Sequence, residues 1–245
     1  MIVLLYYDIY TDVGTRAQND DAILAERVAE EQWLFAVADG LGGHDNGRMA
    51  ADTAIGTVLN YVHQGGCLDW QEIFNAANSS VLKLQAANKS NTRTTLAVLY
   101  IDRTSTFAVH VGDTRIYAFK NGSIVYQSKD HSVSQMAVYA GEIKPTEIRN
   151  HPDRNLLTKV IGNAETIKAD IHIMNNSDYD ALLLCSDGFW EYVMENEMGN
   201  YHRDEEPVIW LSRLRKKCVE RADKRGTMDN NSAIAVIKEM GDING

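Results

Sequence analysis

Apolar and polar positions follow two rhythms along this chain. In its middle part, near-continuous apolar runs are separated by short polar breaks: Thr94–Ile101 (TTLAVLYI), Thr106–Val111 (TFAVHV), Thr114–Phe119 (TRIYAF) and Ser123–Gln127 (SIVYQ). Such runs read as strands, and the Asn121–Gly122 pair between the last two is a hairpin signal. The short breaks predict antiparallel neighbours, because parallel pairing needs a long crossover. Ala181–Cys185 (ALLLC) and Ala233–Ile237 (AIAVI) read as further strands, and the N-terminal MIVLLYYDIY as a first one. The second rhythm has the period of a helix. It covers Arg48–Val62, Trp70–Ala87 and Val208–Ala222, where apolar residues recur every three or four positions. Helices early, an antiparallel run and then more helices predict an α+β fold rather than a regular βαβα alternation.

Composition narrows the picture. The 245 residues are 44% hydrophobic and 24% charged, with three prolines and no repeated or linker-like tract. One domain across 1–245 is therefore expected. The N-terminus lacks the basic start of a signal peptide, and no run approaches the roughly 18 apolar residues of a membrane span. The expectation is a cytoplasmic protein that does not enter a membrane. Cys67, Cys185 and Cys218 are odd in number and far apart, which fits buried free thiols in a reducing compartment. The net charge of -10 argues against nucleic acid, which calls for a basic face. The one basic cluster, Arg213–Lys217, lies among Glu205, Glu206 and Glu220 and reads as a solvated helix face.

Candidate chemistry enters with the aspartates at strand ends. Asp39 follows LFAVA and opens a loop with glycines at 40, 42, 43 and 47; Asp113, Asp187 and Asp229 also border apolar strands, and Asp20–Asp21 precedes Ala22–Ile23. One such residue is usually a turn former. A set of them at one rim of a sheet would repel unless neutralised, and oxygen-only ligands suit Mg²⁺ or Mn²⁺. Two ions sharing Asp39 would hold a hydroxide nucleophile, with the Gly40 carbonyl as a ligand and the next glycines leaving room for substrate. No cysteine has Arg six positions on, and neither a phosphate-binding P-loop nor a G-x-S-x-G elbow is present.

These residues resemble the metal-dependent serine/threonine protein phosphatases of the PP2C type, in their compact bacterial form. Six segments carry the resemblance, in the family's order: Thr11–Ile23 (TDVGTRAQNDDAI), Val37–Ala51 (VADGLGGHDNGRMAA), Gly112–Tyr117 (GDTRIY), Asp130–Ser132 with Arg154–Gly162, Leu184–Trp190 (LCSDGFW) and Asp229–Val236 (DNNSAIAV). The resemblance implies a four-layer α-β-β-α sandwich of two antiparallel sheets, with two Mn²⁺ or Mg²⁺ ions at one rim. By it Asp39 bridges the ions, Gly40 gives its carbonyl, and Asp187 and Asp229 complete one metal. Asp21 acts through water with Asp20 beside it, and Asp113 with Asp187 takes a third ion. Arg16 grips the substrate phosphate, and Asn230 hydrogen-bonds near the phosphate or a metal water. Apart from the resemblance, the near-neutral range of an imidazole makes His44 the candidate for protonating the leaving alcohol, with a loop-fixing hydrogen bond as the competing reading. Asp20 stands where Glu or Gln is usual, Arg48 where Glu is frequent, and Asn231–Ser232 where an apolar–Thr pair is frequent.

The implied reaction is in-line attack of activated water on phosphoserine or phosphothreonine. The implied partners of this monomer are phosphoproteins marked by a bacterial-type serine/threonine kinase, and that kinase itself. A phosphoprotein sensor of the same fold and a hydrolase of small phosphate esters are the alternatives. Residues 133–151 match the family's flap. Asp130 and His131 are expected to hold the flap's base, His110 to be a sheet-face residue, and Met136 and Tyr139 to pack locally, with packing on a substrate as the alternative.

Overall fold

The computed structural model describes residues 3–42, 47–201 and 205–240. Eleven strands form two sheets. One contains, in spatial order, β1 (Val3–Asp12), β11 (Asn231–Met240), β10 (Ala181–Cys185), β7 (Arg115–Lys120) and β8 (Ser123–Gln127). The other contains β2 (Asp21–Ala29), β3 (Gln32–Leu41), β5 (Leu96–Ile101), β6 (Ser105–Val111) and β9 (Asp170–Asn175), with the two-residue β4 (Arg93–Thr94) paired to the end of β3. Every pairing is antiparallel.

The sheets pack face to face and helices cover both outer surfaces. Along β5, Leu96, Val98 and Tyr100 face α1 (Gly47–Gln64) and α2 (Trp70–Asn88), whereas Ala97, Leu99 and Ile101 join the core between the sheets. β10 and β11 do the same on the far side. Leu182, Leu184, Ile234 and Val236 point between the sheets, and Leu183, Cys185, Ala233 and Ala235 face the side of α6 (Pro207–Arg225). Strands covered on both faces need apolar residues at every position, so they read as unbroken apolar runs instead of alternating ones. The order of layers is α-β-β-α.

Local signals end the helices where the sequence changes character. Asp69 accepts from the Gln71 and Glu72 amides (3.0 and 3.1 Å) and caps α2. Pro207 opens α6, and Gly226 closes it in the left-handed region (φ 73°). Two short helices, α4 (Asp187–Trp190) and α5 (Glu195–Met198), follow β10. The flap holds the short α3 (Val133–Tyr139) and a 3₁₀ turn at Pro145–Asn150.

Several expectations are corrected. Thr94–Ile101 divides into β4 and β5, which keep one register on β3: the Thr95 amide donates to the Asp39 carbonyl, but the Asp39 amide donates to the Thr95 hydroxyl rather than to its carbonyl. Cys67 is exposed; only Cys185 and Cys218 are buried. Met136 and Tyr139 do not pack locally: both stand in solvent, because the core-facing side of α3 belongs to Val138.

Candidate metal centre

The two sheets deliver their aspartates to one rim. Asp21 and Asp39 face each other as register partners of β2 and β3. Asp113 lies on the turn from β6 to β7, where the chain crosses between sheets; Asp187 opens α4 directly after β10; Asp229 lies just before β11. A cavity of about 510 Å³ opens here, lined by Arg16, Asp20, Asp39, Asp113, Asp187 and Asp229 among others. The Gly40 backbone also lines it.

Hydrogen bonds explain how each residue is held. The Asp39 amide donates to Thr95 Oγ1 (2.8 Å), and its carbonyl accepts from the Thr95 amide and Thr94 Oγ1 (both 2.9 Å). The backbone is fixed and the carboxylate is left for the cavity. Ser186 Oγ donates to Asp21 Oδ2 (2.7 Å) and accepts from the Ser232 amide (2.9 Å), so one hydroxyl joins the two sheets beneath the site. A β-carbon on Gly188 would lie 2.2 Å from the Asn230 carbonyl, so the bare backbone lets the Asp229 segment press onto the turn of Asp187.

Gly40 and Gly47 have a different task from the one expected of this loop's glycines. A β-carbon at Gly40 would meet the Gly47 carbonyl at 2.2 Å, and one at Gly47 would meet the Asp20 carboxyl carbon at 2.9 Å. This pair brings two backbone segments together and closes the loop against Asp20 rather than clearing space. Gly42 does line the cavity. Residues 43–46, and with them His44, lie outside the described residues.

Asn230 is fully committed to the 13–20 loop. Its amide donates to the Val13 and Gln18 carbonyls (2.9 and 2.8 Å) and accepts from the Asp20 amide (2.8 Å). No donor is left for a phosphate, so the structure makes Asn230 the clamp of that loop. The Asp20 carboxylate accepts from Gln18 Nε2 and the Arg48 amide (2.8 and 3.0 Å). Arg16 Nη2 donates to Asp229 Oδ2 (2.6 Å) at the mouth of the cavity.

The electrostatics are those of acids with too little positive charge nearby. Burial, then Asp187, Asp21, Asp113 and Asp229, push the Asp39 carboxyl well above the usual range. Burial, then Asp187 and Asp130, do the same at Asp113, against the lowering pull of Arg115. Burial, Asp229 and Asp21 raise Asp187 to about 7. Asp21 rises to about 6 through burial, although hydrogen bonds from Ser232 and Ser186 oppose it. Asp21 Oδ1 is buried without any hydrogen-bond partner. An orphaned carboxylate oxygen, raised acids and, among the described residues, a lining without His or Cys together fit hard divalent cations, which take oxygen ligands.

A layer of buried ion pairs supports Asp113 from behind. Arg115 donates through Nε and Nη2 to both oxygens of Asp130 (2.9 and 2.7 Å), with both side chains almost fully enclosed. Its guanidinium carbon lies 3.6 Å from the centroid of the Trp190 ring, whose Nε1 donates to the Asp113 carbonyl (2.9 Å). Sequence reasoning missed Trp190 and Ser186 as supports; their place beside Asp187 in LCSDGFW was the only signal.

His110 is more than a sheet-face residue. It is buried, bonds the Lys129 carbonyl through Nε2 and stacks on His131 (centroids 4.9 Å apart, 11° between planes). The Gly112 amide donates to His131 Nδ1 (3.0 Å) and the His131 amide to the Gly112 carbonyl (2.9 Å), which ties the flap's base to the residue before Asp113. Asp170 completes a His110–His131–Asp170 group with ligand atoms within 4.8 Å of one another. The near-parallel rings aim their lone pairs in separate planes, and Lys159 Nζ already lies 2.9 Å from His131 Nε2. This group therefore reads as a structural network.

Comparison with known proteins agrees with this geometry. A family model described as protein phosphatase 2C matches residues 13–224. A serine/threonine phosphatase of Listeria welshimeri is 26% identical over 247 residues, covering 96% of this chain and 97% of the relative. The crystal structure of a serine/threonine phosphatase from Staphylococcus aureus superposes with a TM-score of 0.84 at 25% identity, covering 97% of this chain and 96% of that one. The catalytic domain of the phosphatase PstP, solved in complex with two manganese ions, has the same fold (TM-score 0.80, 22% identity, 97% of this chain and 100% of that one).

Proposed function

The chain belongs to the protein phosphatase 2C family, and on that premise we propose how its residues divide the work of a metal-dependent serine/threonine protein phosphatase. The observation that carries the proposal is the convergence of Asp21, Asp39, Asp113, Asp187 and Asp229, from both sheets, on one rim beside Arg16. Asp39, the Gly40 carbonyl, Asp187 and Asp229 would hold two Mn²⁺ or Mg²⁺ ions, with Asp21 acting through water and Asp113 with Asp187 forming a third position. Bound there, the ions would neutralise the acids and raise the acidity of water at the site.

The chain's own residues supply binding and orientation. Arg16 exchanges Asp229 for the substrate phosphate, whose oxygens its planar fork fits in pairs. Asn230 and Asp20 hold the 13–20 loop, and hence Arg16, at the rim. Ser186 keeps Asp21 in register with the facing sheet. The alcohol released from serine or threonine needs a proton, and His44 is the candidate donor. A thiol nucleophile is disfavoured: burial raises the thiols of Cys185 and Cys218 above their usual values, and neither lines the cavity.

The proposed substrates are phosphoproteins, including those marked by a bacterial serine/threonine kinase and that kinase itself. The proposed state is a cytoplasmic monomer. Among the described residues, no helix is long and apolar enough to cross a membrane. The test is phosphate release from a phosphothreonine peptide with Mn²⁺, with EDTA, and by Asp39→Asn, beside a sugar phosphate as a small ester. Release from the peptide that needs both Mn²⁺ and Asp39 is expected. Release from the sugar phosphate alone would replace the proposal with a small-ester hydrolase.

A further inference from the structure

Asp113 lies on the turn that carries the chain from one sheet to the other, and that turn is held by side chains that do not line the cavity. His131 takes both polar backbone groups of Gly112: the Gly112 amide donates to its Nδ1 (3.0 Å), and its own amide donates to the Gly112 carbonyl (2.9 Å). A ring nitrogen that accepts carries no proton, so the proton of this imidazole is on Nε2, 3.2 Å from Asp170 Oδ1. Burial, then His110 and Lys159, hold His131 down at about 4 against the pull of Asp170, which keeps the ring neutral and its Nδ1 free to accept at neutral pH. On its far side the turn rests on Thr95. A β-carbon at Gly112 would lie 2.6 Å from Thr95 Cβ, and the Thr114 and Thr95 hydroxyls are 2.6 Å apart. Thr95 Oγ1 also accepts from the Asp39 amide (2.8 Å). One line of contacts thus runs from Asp170 through His131, the 112–114 turn and Thr95 to Asp39, and it carries two of the rim's acids.

We infer that His131 and Thr114 are positioning residues for the metal ions: they fix the spacing of the Asp113 and Asp39 carboxylates through the turn, without touching an ion or a substrate. The inference rests on the metal-dependent reading of the cavity. Two observations support it. Asp113 is among the charges that oppose ionisation of Asp39, so the metal-free carboxylates push each other apart and their spacing has to be imposed from outside the cavity. The outer hold is also complete. Gly112 is bonded at both its amide and its carbonyl, and the Thr114 hydroxyl meets the same Thr95 oxygen that receives the Asp39 amide. Asp113 therefore cannot swing away without breaking bonds on both sides of it, and partners of this kind orient the groups that hold a metal.

The test compares two pairs of variants of the full chain. In His131→Asn the amide oxygen takes the place of Nδ1 and can accept from Gly112. In His131→Gln the side chain reaches the place of Nε2 and leaves Gly112 without its acceptor. Thr114→Ser keeps the hydroxyl that meets Thr95, and Thr114→Val removes it. Melting curves in EDTA show that each variant is folded, and Mn²⁺ is then titrated in while the paramagnetic resonance signal of the free ion is followed. His131→Gln and Thr114→Val should bind Mn²⁺ about 10- to 100-fold more weakly than the parent, the range for loss of a residue that supports a metal ligand. His131→Asn and Thr114→Ser should stay close to the parent. For a phosphothreonine peptide, kcat of the two weak binders should fall at low Mn²⁺ and recover at saturating Mn²⁺, with KM unchanged. A Gln variant that binds Mn²⁺ as tightly as the Asn variant, or a Val variant as tightly as the Ser variant, would overturn the inference for that residue. If the His131 pair does not fold, the Thr114 pair decides. No Mn²⁺ bound by the unaltered protein would overturn the metal-centre reading itself, so the two failures are told apart.

Discussion

Arg16 and Asp229 share a 2.6 Å ion pair at the mouth of the cavity, with 59% and 37% of their side chains exposed. An exposed pair of this kind contributes about 0–1 kcal/mol, so opening it costs little. In the proposed function, Arg16 changes partners from this carboxylate to a phosphate. Arg16→Ala should lower kcat/KM for a phosphothreonine peptide by about 10- to 100-fold, the range of a lost charge-assisted hydrogen-bond pair. Thermal stability should hardly move. Steady-state kinetics beside a melting curve check both halves.

Asp39→Asn removes one charge from a group of mutually repelling acids. Activity should fall by more than the about 10- to 100-fold that loss of a residue supporting a metal ligand brings. The metal-free protein should nevertheless melt at a higher temperature at pH 7.5 than its parent. The rise in melting temperature that Mn²⁺ gives the parent should shrink. Scanning fluorimetry of both proteins, with and without Mn²⁺, makes the measurement.

The raised acids set the pH dependence of the metal-free fold. Asp21 at about 6 and Asp187 at about 7 hold protons more tightly folded than unfolded, where an Asp titrates near 4. Stability is then greatest at low pH and declines as pH climbs from about 4 through 6 and 7. In EDTA, the protein should melt several degrees lower at pH 7.5 than at pH 5.5. Saturating Mn²⁺ should abolish the difference. Equal melting temperatures in EDTA would contradict the raised acids.

Asp130 holds Arg115 in a nearly closed interior. Asp130→Ala removes the guanidinium's two shortest hydrogen bonds and leaves it Tyr117 and a 3.4 Å contact with Glu195, and breaking a buried pair from one side costs up to about 3–5 kcal/mol. Urea unfolding should show a midpoint far below that of the parent, in contrast to Arg16→Ala.

The strands that lie under helices on one face and a sheet on the other announced themselves, because burial on both faces forbids polar interruptions. The edges did not. β2 reads DAILAERVA, with Glu26 and Arg27 in its outer half, and β9 reads DIHIMN, with Ile171 and Ile173 exposed and Met174 buried. Half-covered strands lack the continuous apolar run, and in β9 the exposed side is the more apolar one. The aspartates were legible as a set because each borders an apolar strand. Their supports were not. Ser186, Trp190 and Asn230 act through hydrogen bonds between segments far apart in sequence, and no local pattern records such a bond. The exposure of Met136 was hidden for the same reason, since which face of a short helix meets the core is decided elsewhere in the fold.

β11 lies between β1 and β10, and its pairing with β1 joins Val3 to Met240 and Asp12 to Asn231. β1 is therefore made long before β11, the strand it pairs with, and waits for it. Asp229 reaches the rim only when β11 enters the sheet. Until then the growing chain has neither its full set of acids nor Arg16's partner. A nascent chain is thus expected to complete the rim only once β11 has been made, so the order of synthesis sets when the acids come together.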